Sequence, residues 1–278
     1  MEKIRATQVS TKALKTRKKY LGTEPHLPIC SYSLCESMGF DLRFVKIPSF
    51  EGMYVAEQNL ILISSDRPEG RKRFTCAHEI GHHVLGHGTV IDEIIECGSD
   101  RKEEGEADFF ASILLMPSSA VTRTLRRYRI NVEKISSVDA YTLSKYFGVS
   151  YESFITHIYS NLHLITYRHF QQLKKAKLSD IRFSLCGTKT KNQVFNIDDW
   201  WDEKAIELEV GDLIVSQHKL SIDGPLILDC VNKTDKYIYE AKGPGITRIF
   251  NDKWSSFTKI SRHKFQGFYQ YKYDEEEE

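Results

Sequence analysis

His78-Glu79-Ile80-Gly81-His82 sets two imidazoles and a carboxylate at the helical spacing of a hydrolytic metal site. Residues four apart on an α-helix share a face, so His78 and His82 can hold one ion together. Glu79 comes one position after the first histidine, about 100° round the helix, where its carboxylate reaches a metal-activated water without ligating the ion. The flanks, Phe74 to Ala77 and His83 to Gly88, read as a half-buried helix ending in a glycine-rich C-cap. Phe74, Ala77, Gly81 and Leu85 share the buried face with both histidines, and Gly81 is expected to leave the space between the imidazoles open.

A catalytic zinc takes three protein ligands and keeps its fourth position for water. The extended pattern with a third histidine requires a glycine at 85 and a histidine at 88; the chain has Leu85 and Gly88, which excludes that class. The alternative is a glutamate on a following helix. Glu103-Glu104-Gly105-Glu106-Ala107-Asp108-Phe109-Phe110-Ala111 runs into Leu114-Leu115-Met116-Pro117, an apolar stripe of helical period closed by proline. Glu104 and Asp108, four apart, flank the face carrying Ala107, Ala111 and Leu115, whereas Glu106 points about 160° from the centre of that face. Periodicity does not exclude Glu103. Glu104 is preferred because Asp108, one turn on, can then accept the second ring N–H of a metal-bound histidine and fix its tautomer.

On these residues the chain resembles the ImmA/IrrE metallopeptidases, which are thermolysin-like in ligand class. The resemblance rests on His78 to His82, on Glu104 to Asp108 and on the Phe110-Ala111 to Met116-Pro117 run; it is strongest over residues 30–117 and weaker to about 165. By position it implies His78, His82 and Glu104 as zinc ligands, Glu79 as general base and Asp108 where Asn or Asp is usual. It also implies a protein substrate, a DNA-binding transcriptional repressor of the kind often encoded beside such enzymes. No spacing in the chain speaks to that substrate.

Two further classes stay open. One is a non-proteolytic regulator with a closed structural zinc site, His83 or His87 supplying the spare ligand. The other is a metal-dependent hydrolase of a non-peptide bond, although phosphate-ester chemistry usually uses carboxylate-rich two-metal sites and no such cluster is evident. For a peptidase, zinc acidifies a water and polarises the scissile carbonyl, and Glu79 moves the water proton to the leaving amine. An oxyanionic tetrahedral intermediate needs a further donor, for which His83, His87 and Tyr54 are unranked candidates; His83, one residue from a ligand, points to another face of the helix, where a surface or cap role is favoured. Mn²⁺ is the alternative metal, since affinity order alone does not decide occupancy.

Stepping out to the whole chain, 278 residues carry 39 Lys and Arg against 38 Asp and Glu, so no global charge imbalance points to nucleic acid or an acidic substrate. Six cysteines, Cys30, Cys35, Cys76, Cys97, Cys186 and Cys230, form no CxxC pair and fit reduced thiols in the cytoplasm. Neither a signal peptide nor a run of about 18 apolar residues is present, so no membrane association is expected.

The expected class is α+β: a zincin-like metallopeptidase domain with a small sheet and the metal-binding helix, a helix-turn-helix-like unit, and a mostly-β C-terminal module. Residues 1–27 read as a basic arm, either a helix or a flexible lead, with Lys12, Lys15, Arg17, Lys18 and Lys19 close together. The metallopeptidase core takes residues 28–130: a short helix over 29–39, then strands over 41–47, 52–56 and 60–64. Gly52 to Val55 is the candidate edge strand for pairing with an extended peptide. Arg123, Arg126, Arg127 and Arg129 give the helix over 119–128 a cationic face. Residues 131–178 have the form helix, glycine turn, serine-capped helix; on them only Lys145 and His157 could readily contact phosphate, so packing or protein recognition is favoured over DNA. Residues 179–274 turn to β-branched and aromatic runs, with Trp200, Trp201, Trp254 and Phe265 to Tyr273 expected in the core. Residues 275–278 form an acidic tail.

Overall fold

Short apolar runs and one alternating strand build the sheet against which the site's first helix packs. The computed structural model describes residues 3–22, 27–87, 90–93, 102–202, 204–223, 228–230 and 236–275, so Cys97, Gly224-Pro225 and the end of the acidic tail lie outside the described residues. The chain is α+β and divides into two compact units, residues 1–175 and 176–278.

The first unit opens with α1 (Lys3–Leu21) and α2 (Ser31–Ser37), followed by β1 (Asp41–Val45), β2 (Phe50–Val55) and β3 (Leu60–Ser64). Leu42 and Phe44 point inward from β1 while Asp41 and Arg43 face solvent, the period-2 pattern of a one-sided strand. β2 and β3 form an antiparallel hairpin whose turn ends at Asn59 in the left-handed region, a conformation asparagine tolerates. β1 pairs parallel to β3, and β4 (Val90–Glu93) adds antiparallel to β2. The strand taken as an edge, Gly52 to Val55, is therefore interior, and β4 stands outside it. Four short residues separated from the other strands by the metal-binding helix carry no strong strand pattern, which is why sequence reading passed over β4.

α3 (Glu69–Leu85) packs on β2, β3 and α2, and α4 (Lys102–Leu115) packs on both α3 and α1. The close α3–α4 approach explains Gly81: a Cβ there would stand 3.1 Å from Phe110 Cδ1 and 3.3 Å from Ala107 Cα. Its bareness serves helix packing, not the gap between the imidazoles. The basic start of the chain is helical, and it is held by a small stripe, Val9, Ala13 and Thr16, all buried. Arg17 is fully buried beside that stripe and donates to the carbonyls of Leu114, in the last turn of α4, and Leu27. A guanidinium there satisfies a helix-end carbonyl that no intrahelical N–H can reach.

After α5 (Ser118–Arg127), whose Arg123, Arg126 and Arg127 are exposed together with Arg129, come α6 (Ser137–Phe147), α7 (Tyr151–Thr156) and α8 (Tyr167–Lys174). Ser136 and Asp139 form a capping box at the start of α6, Gly148 closes it at φ 69°, and Ser150 caps α7. This turn sits on the start of α3: a Cβ on Gly70 would fall 2.6 Å from the Val149 carbonyl carbon and 2.7 Å from Ser150 N. α7 runs on into a π turn, His157–Asn161, where His157 Nε2 donates to Met116 O at 2.7 Å and Nδ1 accepts from Asn161 at 3.0 Å. His157 is buried, so it has no face to offer a phosphate, contrary to expectation; Lys145 Nζ lies over the Tyr141 ring.

The second unit begins with α9 (Leu178–Cys186) and continues with β5 (Val194–Ile197), β6 (Ile206–Glu209), β7 (Leu213–Ser216), β8 (Ser221–Asp223), β9 (Leu228–Cys230), β10 (Tyr237–Ala241), β11 (Gly245–Phe250) and β12 (Ser255–Ser261). Two four-stranded sheets result, β5-β7-β10-β9 and β6-β12-β11-β8. Trp201, Trp254 and Tyr269 are buried, whereas Phe268 and Tyr271 are exposed, so the terminal aromatic stretch is core only in part. No helix among the described residues is long and apolar enough to cross a membrane.

Candidate metal centre

The α3–α4 contact brings the three sequence-nominated ligands together. His78 and His82 project from one face of α3, and Glu104 comes from the first exposed turn of α4. Their ligand atoms lie within 4.8 Å of one another. His78 Nε2 is 2.9 Å from His82 Nε2 and 3.3 Å from Glu104 Oε2, and His82 Nε2 is 3.8 Å from Glu104 Oε1. Donors about 2.0–2.1 Å from a tetrahedral ion stand roughly 3.4 Å apart, so this triangle fits one zinc-sized cation. Glu103 is exposed and outside the cluster.

Both imidazoles are buried, and each has its second nitrogen occupied. His78 Nδ1 meets Asp108 Oδ1 at 2.9 Å, the relationship expected from the four-residue spacing of Glu104 and Asp108. His82 Nδ1 meets His87 Nδ1 at 3.0 Å. Burial alone would lower the His78 pKa, but the acceptors Asp108 and Glu104 outweigh it and raise it well above the usual imidazole value. Hydrogen bonds from His78 and His82 hold Glu104 far below the ordinary carboxylate range. That shift favours the anionic form that a carboxylate ligand needs.

Glu79 is wholly buried on the sheet side of α3. β2 crosses so close above it that a Cβ on Gly52 would stand 2.6 Å from Glu79 Oε1 and 2.4 Å from Thr75 Cγ2. The carboxylate occupies the space that a side chain at position 52 would fill. It also lies near enough to His78 to favour the charged imidazole.

The three unranked donors separate. His87 stands on the Nδ1 side of His82, across the ring from Glu104, and its Nε2 faces Glu106 Oε2 at 3.4 Å. Tyr54 OH and His83 Nδ1 form a pair at 2.7 Å, with Phe40 packed edge-on against both rings. Glu106 points away from the ligand triangle as its helical phase requires, yet it is buried, because α1 covers that side of α4 and Arg5 binds its carboxylate. Neither role of Glu106 nor of Arg5 was read from the sequence; the partner helix is a hundred residues away. Cys76 is buried, donates to Ser31 O at 3.5 Å and has its thiol pKa pushed well up by burial, which makes it packing rather than ligand.

The peptidase family described as the IrrE N-terminal-like domain matches residues 35–158. Two similar proteins are named radiation response metalloprotease IrrE. The one from Deinococcus radiodurans is 32% identical over 95 residues, 32% of this chain and 29% of that protein. The one from Deinococcus deserti is 38% identical over 96 residues, 32% of this chain and 34% of that protein. The chain thus spans about a third of the length of these relatives. A solved cysteine protease inhibitor, EhICP2 from Entamoeba histolytica, aligns over 26% of this chain and 98% of that one at 12% identity and a TM-score of 0.20, too low to bear on the fold. The matched segment begins within α2, ends in the π turn after α7 and contains the ligand triangle, Glu79 and Asp108. Over residues 35–158 the chain is thus similar to the IrrE N-terminal-like peptidase domain and to these two metalloproteases.

Proposed function

We propose that this protein is a zinc-dependent endopeptidase that cuts a DNA-binding transcriptional repressor, with His78, His82 and Glu104 holding the ion and Glu79 as general base. The observation that carries the reading is the ligand triangle of two imidazoles and one ionised carboxylate, with a second carboxylate buried beside it but outside it. Three ligands leave a fourth position for water, as catalytic zinc sites do.

A zinc ion at this centre supplies a Lewis acid that acidifies water and polarises a peptide carbonyl. The protein does the rest. Glu79 receives the proton of the attacking water on a carboxylate oxygen and passes it to the amide nitrogen as the C–N bond breaks, so that one carboxylic acid and one amine leave. The Gly52 backbone and Thr75 crowd Glu79, which keeps its carboxylate oriented. Asp108 holds the His78 ring with its Nε2 lone pair toward the ion. Tyr54 and His83, bonded to each other beside α3, are the donors assigned to the developing oxyanion.

The zincin-like layout, a helix bearing two ligands beneath a small sheet, suits such a reaction because an outer strand can pair with an extended peptide. β4, outside β2, takes the place in this scheme that the sequence suggested for Gly52 to Val55. The repressor as substrate comes from the family resemblance, and the naming of the Deinococcus relatives as metalloproteases supports the reaction class. The alternative is a non-proteolytic metal-binding regulator that binds a repressor or DNA through α6 and α7; the burial of His157 weakens its DNA-binding form.

The test is incubation of the zinc-loaded full chain with the purified DNA-binding repressor encoded beside its gene, followed by mass analysis of the products. Wild type is expected to release two fragments, one with a new C-terminus and the other with a new N-terminus, and Glu79→Gln to release none while retaining metal. Cleavage at the wild-type rate by Glu79→Gln would refute the assigned base; binding without cleavage by wild type would favour the regulator.

A further inference from the structure

We propose that the N-terminal helix is part of the metal centre: Arg5, through Glu106 and His87, positions the ligand His82. The inference rests on the zinc-site reading above and extends it to residues that neither the His78–His82 motif nor the matched segment 35–158 contains in full, since Arg5 lies thirty residues before that segment begins.

The chain of contacts is continuous and almost wholly buried. Gly86 ends α3 in the left-handed region at φ 82°, and the His87 amide then bonds back to His82 O at 3.0 Å. That reversal, which needs a residue free to adopt positive φ, folds the His87 ring over the last turn of the helix and against His82. The two rings meet Nδ1 to Nδ1 at 3.0 Å, 68° apart in plane. His87 Nε2 then faces Glu106 Oε2 at 3.4 Å, and Arg5 grips both oxygens of Glu106, Nε to Oε1 at 2.8 Å and Nη2 to Oε2. Side-chain exposure is 0% for His82, 5% for His87, 3% for Glu106 and 31% for Arg5, so only the far end of the chain touches water.

Ligation by His82 Nε2 fixes every hydrogen along it. With the Nε2 lone pair committed to the ion, the ring proton sits on Nδ1 and is donated to His87 Nδ1. His87 Nδ1 accepts, so its own proton is on Nε2 and is donated to Glu106. Glu106 must be an acceptor only, and the two-pronged grip of Arg5 keeps it an ionised one. Remove the guanidinium and a buried carboxylate loses its counter-charge and its two-pronged anchor, leaving it free to turn toward solvent and away from His87. That change loosens the His82 ring. His78 needs no such chain, because the exposed Asp108 orients it directly. The N-terminal helix is anchored for the task by Lys12 Nζ, which donates to Val84 O at 2.9 Å beside the same helix end, and by Arg17 on the carbonyl of Leu114.

The experiment is zinc affinity by competition with a chromophoric chelator, on the full chain as wild type, Arg5→Ala, Arg5→Lys, His87→Phe, the Arg5→Ala/His87→Phe double variant and His82→Ala. The cobalt-substituted proteins are compared by their visible d–d spectra. Orienting partners of metal ligands typically contribute 10–100-fold to affinity. Arg5→Ala is expected to weaken zinc binding about 10-fold, Arg5→Lys to recover part of it, and the double variant to be no weaker than His87→Phe alone, since the residues act along one path. The d–d bands of Arg5→Ala should shift with those of His87→Phe, a change that a merely destabilised helix would not produce. Wild-type affinity and spectrum in Arg5→Ala, or additive losses in the double variant, would overturn the proposal. If Arg5→Ala does not fold, Glu106→Gln carries the same expectation, a weakened affinity matching His87→Phe, and the same refutation. Abolition of binding in His82→Ala keeps the zinc-site reading standing whichever way Arg5 falls; wild type no tighter than His82→Ala overturns both.

Discussion

Gly52 and Glu79 share one space: the β2 backbone passes over α3 with so little clearance that a Cβ at position 52 would stand 2.6 Å from Glu79 Oε1. Glu79, the proposed general base, is thereby seated by a missing side chain on a strand, not by a partner on its own helix. Thr75, one turn before Glu79, closes the other side at 2.4 Å from the same point. Glycine at 52 is thus explained by the site and not by the strand, where it would ordinarily weaken pairing.

Gly52→Ala should displace the Glu79 carboxylate while leaving the ligand triangle in place. A shift of about 1 Å in a catalytic group can cost on the order of 100-fold in rate, and the added methyl about 1–3 kcal/mol in stability. The expected signature is a fall in turnover with zinc content unchanged, read from steady-state cleavage and metal analysis on one sample. Unchanged turnover would mean that Glu79 is not held by β2.

Asp108 sits on the open side of the centre, its side chain 64% exposed, and still meets His78 Nδ1 at 2.9 Å. Asp108→Ala should weaken zinc binding roughly 10–100-fold, whereas Asp108→Asn, whose carbonyl can accept the same N–H, should keep most of the affinity. Chelator competition separates the two. Equal losses would assign the effect to charge rather than to the fixed tautomer.

The start of α3 gives a stability test that runs against helix propensity. Alanine in place of glycine within a helix usually gains about 1 kcal/mol. At Gly70 the new Cβ would meet the backbone of Val149 and Ser150 at 2.6–2.8 Å, and backbone cannot rotate away. Gly70→Ala is therefore expected to lower unfolding free energy by about 1–3 kcal/mol, measured by urea denaturation. A gain would show that the α6–α7 turn does not rest on α3.

His157 predicts a pH dependence of stability. Burial pushes its pKa from the ordinary 6.5 down to about 4, and its two ring nitrogens are engaged by Met116 O and Asn161 in the neutral form. Above pH 6.5 neither the folded nor the unfolded chain carries this proton, and the full stability is present. As pH falls from 6.5 toward 4 the unfolded chain takes up the proton first, so stability declines by roughly 1.4 kcal/mol per pH unit, to a total on the order of 3 kcal/mol. His157→Gln, which can still donate to Met116 O, should flatten this decline in thermal melts between those limits. A wild-type slope in the variant would place the titration elsewhere.

What the sequence made legible was what repeats within a few residues. The four-residue spacings of His78 with His82 and of Glu104 with Asp108 needed only the helix period, β1 needed only alternation, and β3 only a short apolar, β-prone run. The left-handed caps at Gly86 and Gly148 and the serine caps of α6 and α7 are equally local. What stayed hidden depends on surfaces meeting across the chain. Val9, Ala13 and Thr16 make too small a stripe to announce that α1 is held down, and Arg17 resembles any surface arginine until the carbonyl of Leu114 lies beside it. Glu106 was read correctly as facing away from the metal, but the helical wheel is silent on what covers the opposite face. His157 reads in the sequence as a side chain able to contact phosphate, and the carbonyl of Met116, just past the end of α4, claims it instead.

The central claim is that two imidazoles and one carboxylate hold the ion, that a position is left for water, and that Glu79 stays outside the ligand shell. Zinc-edge X-ray absorption on the full chain at one equivalent of bound zinc, for wild type and Glu79→Gln, tests it directly. The account predicts two imidazole nitrogens and light oxygen ligands at about 2.0–2.1 Å, with the same spectrum in both proteins. A sulfur ligand at about 2.3 Å, a third imidazole closing the site, or a ligand shell that changes when Glu79 is replaced would contradict it.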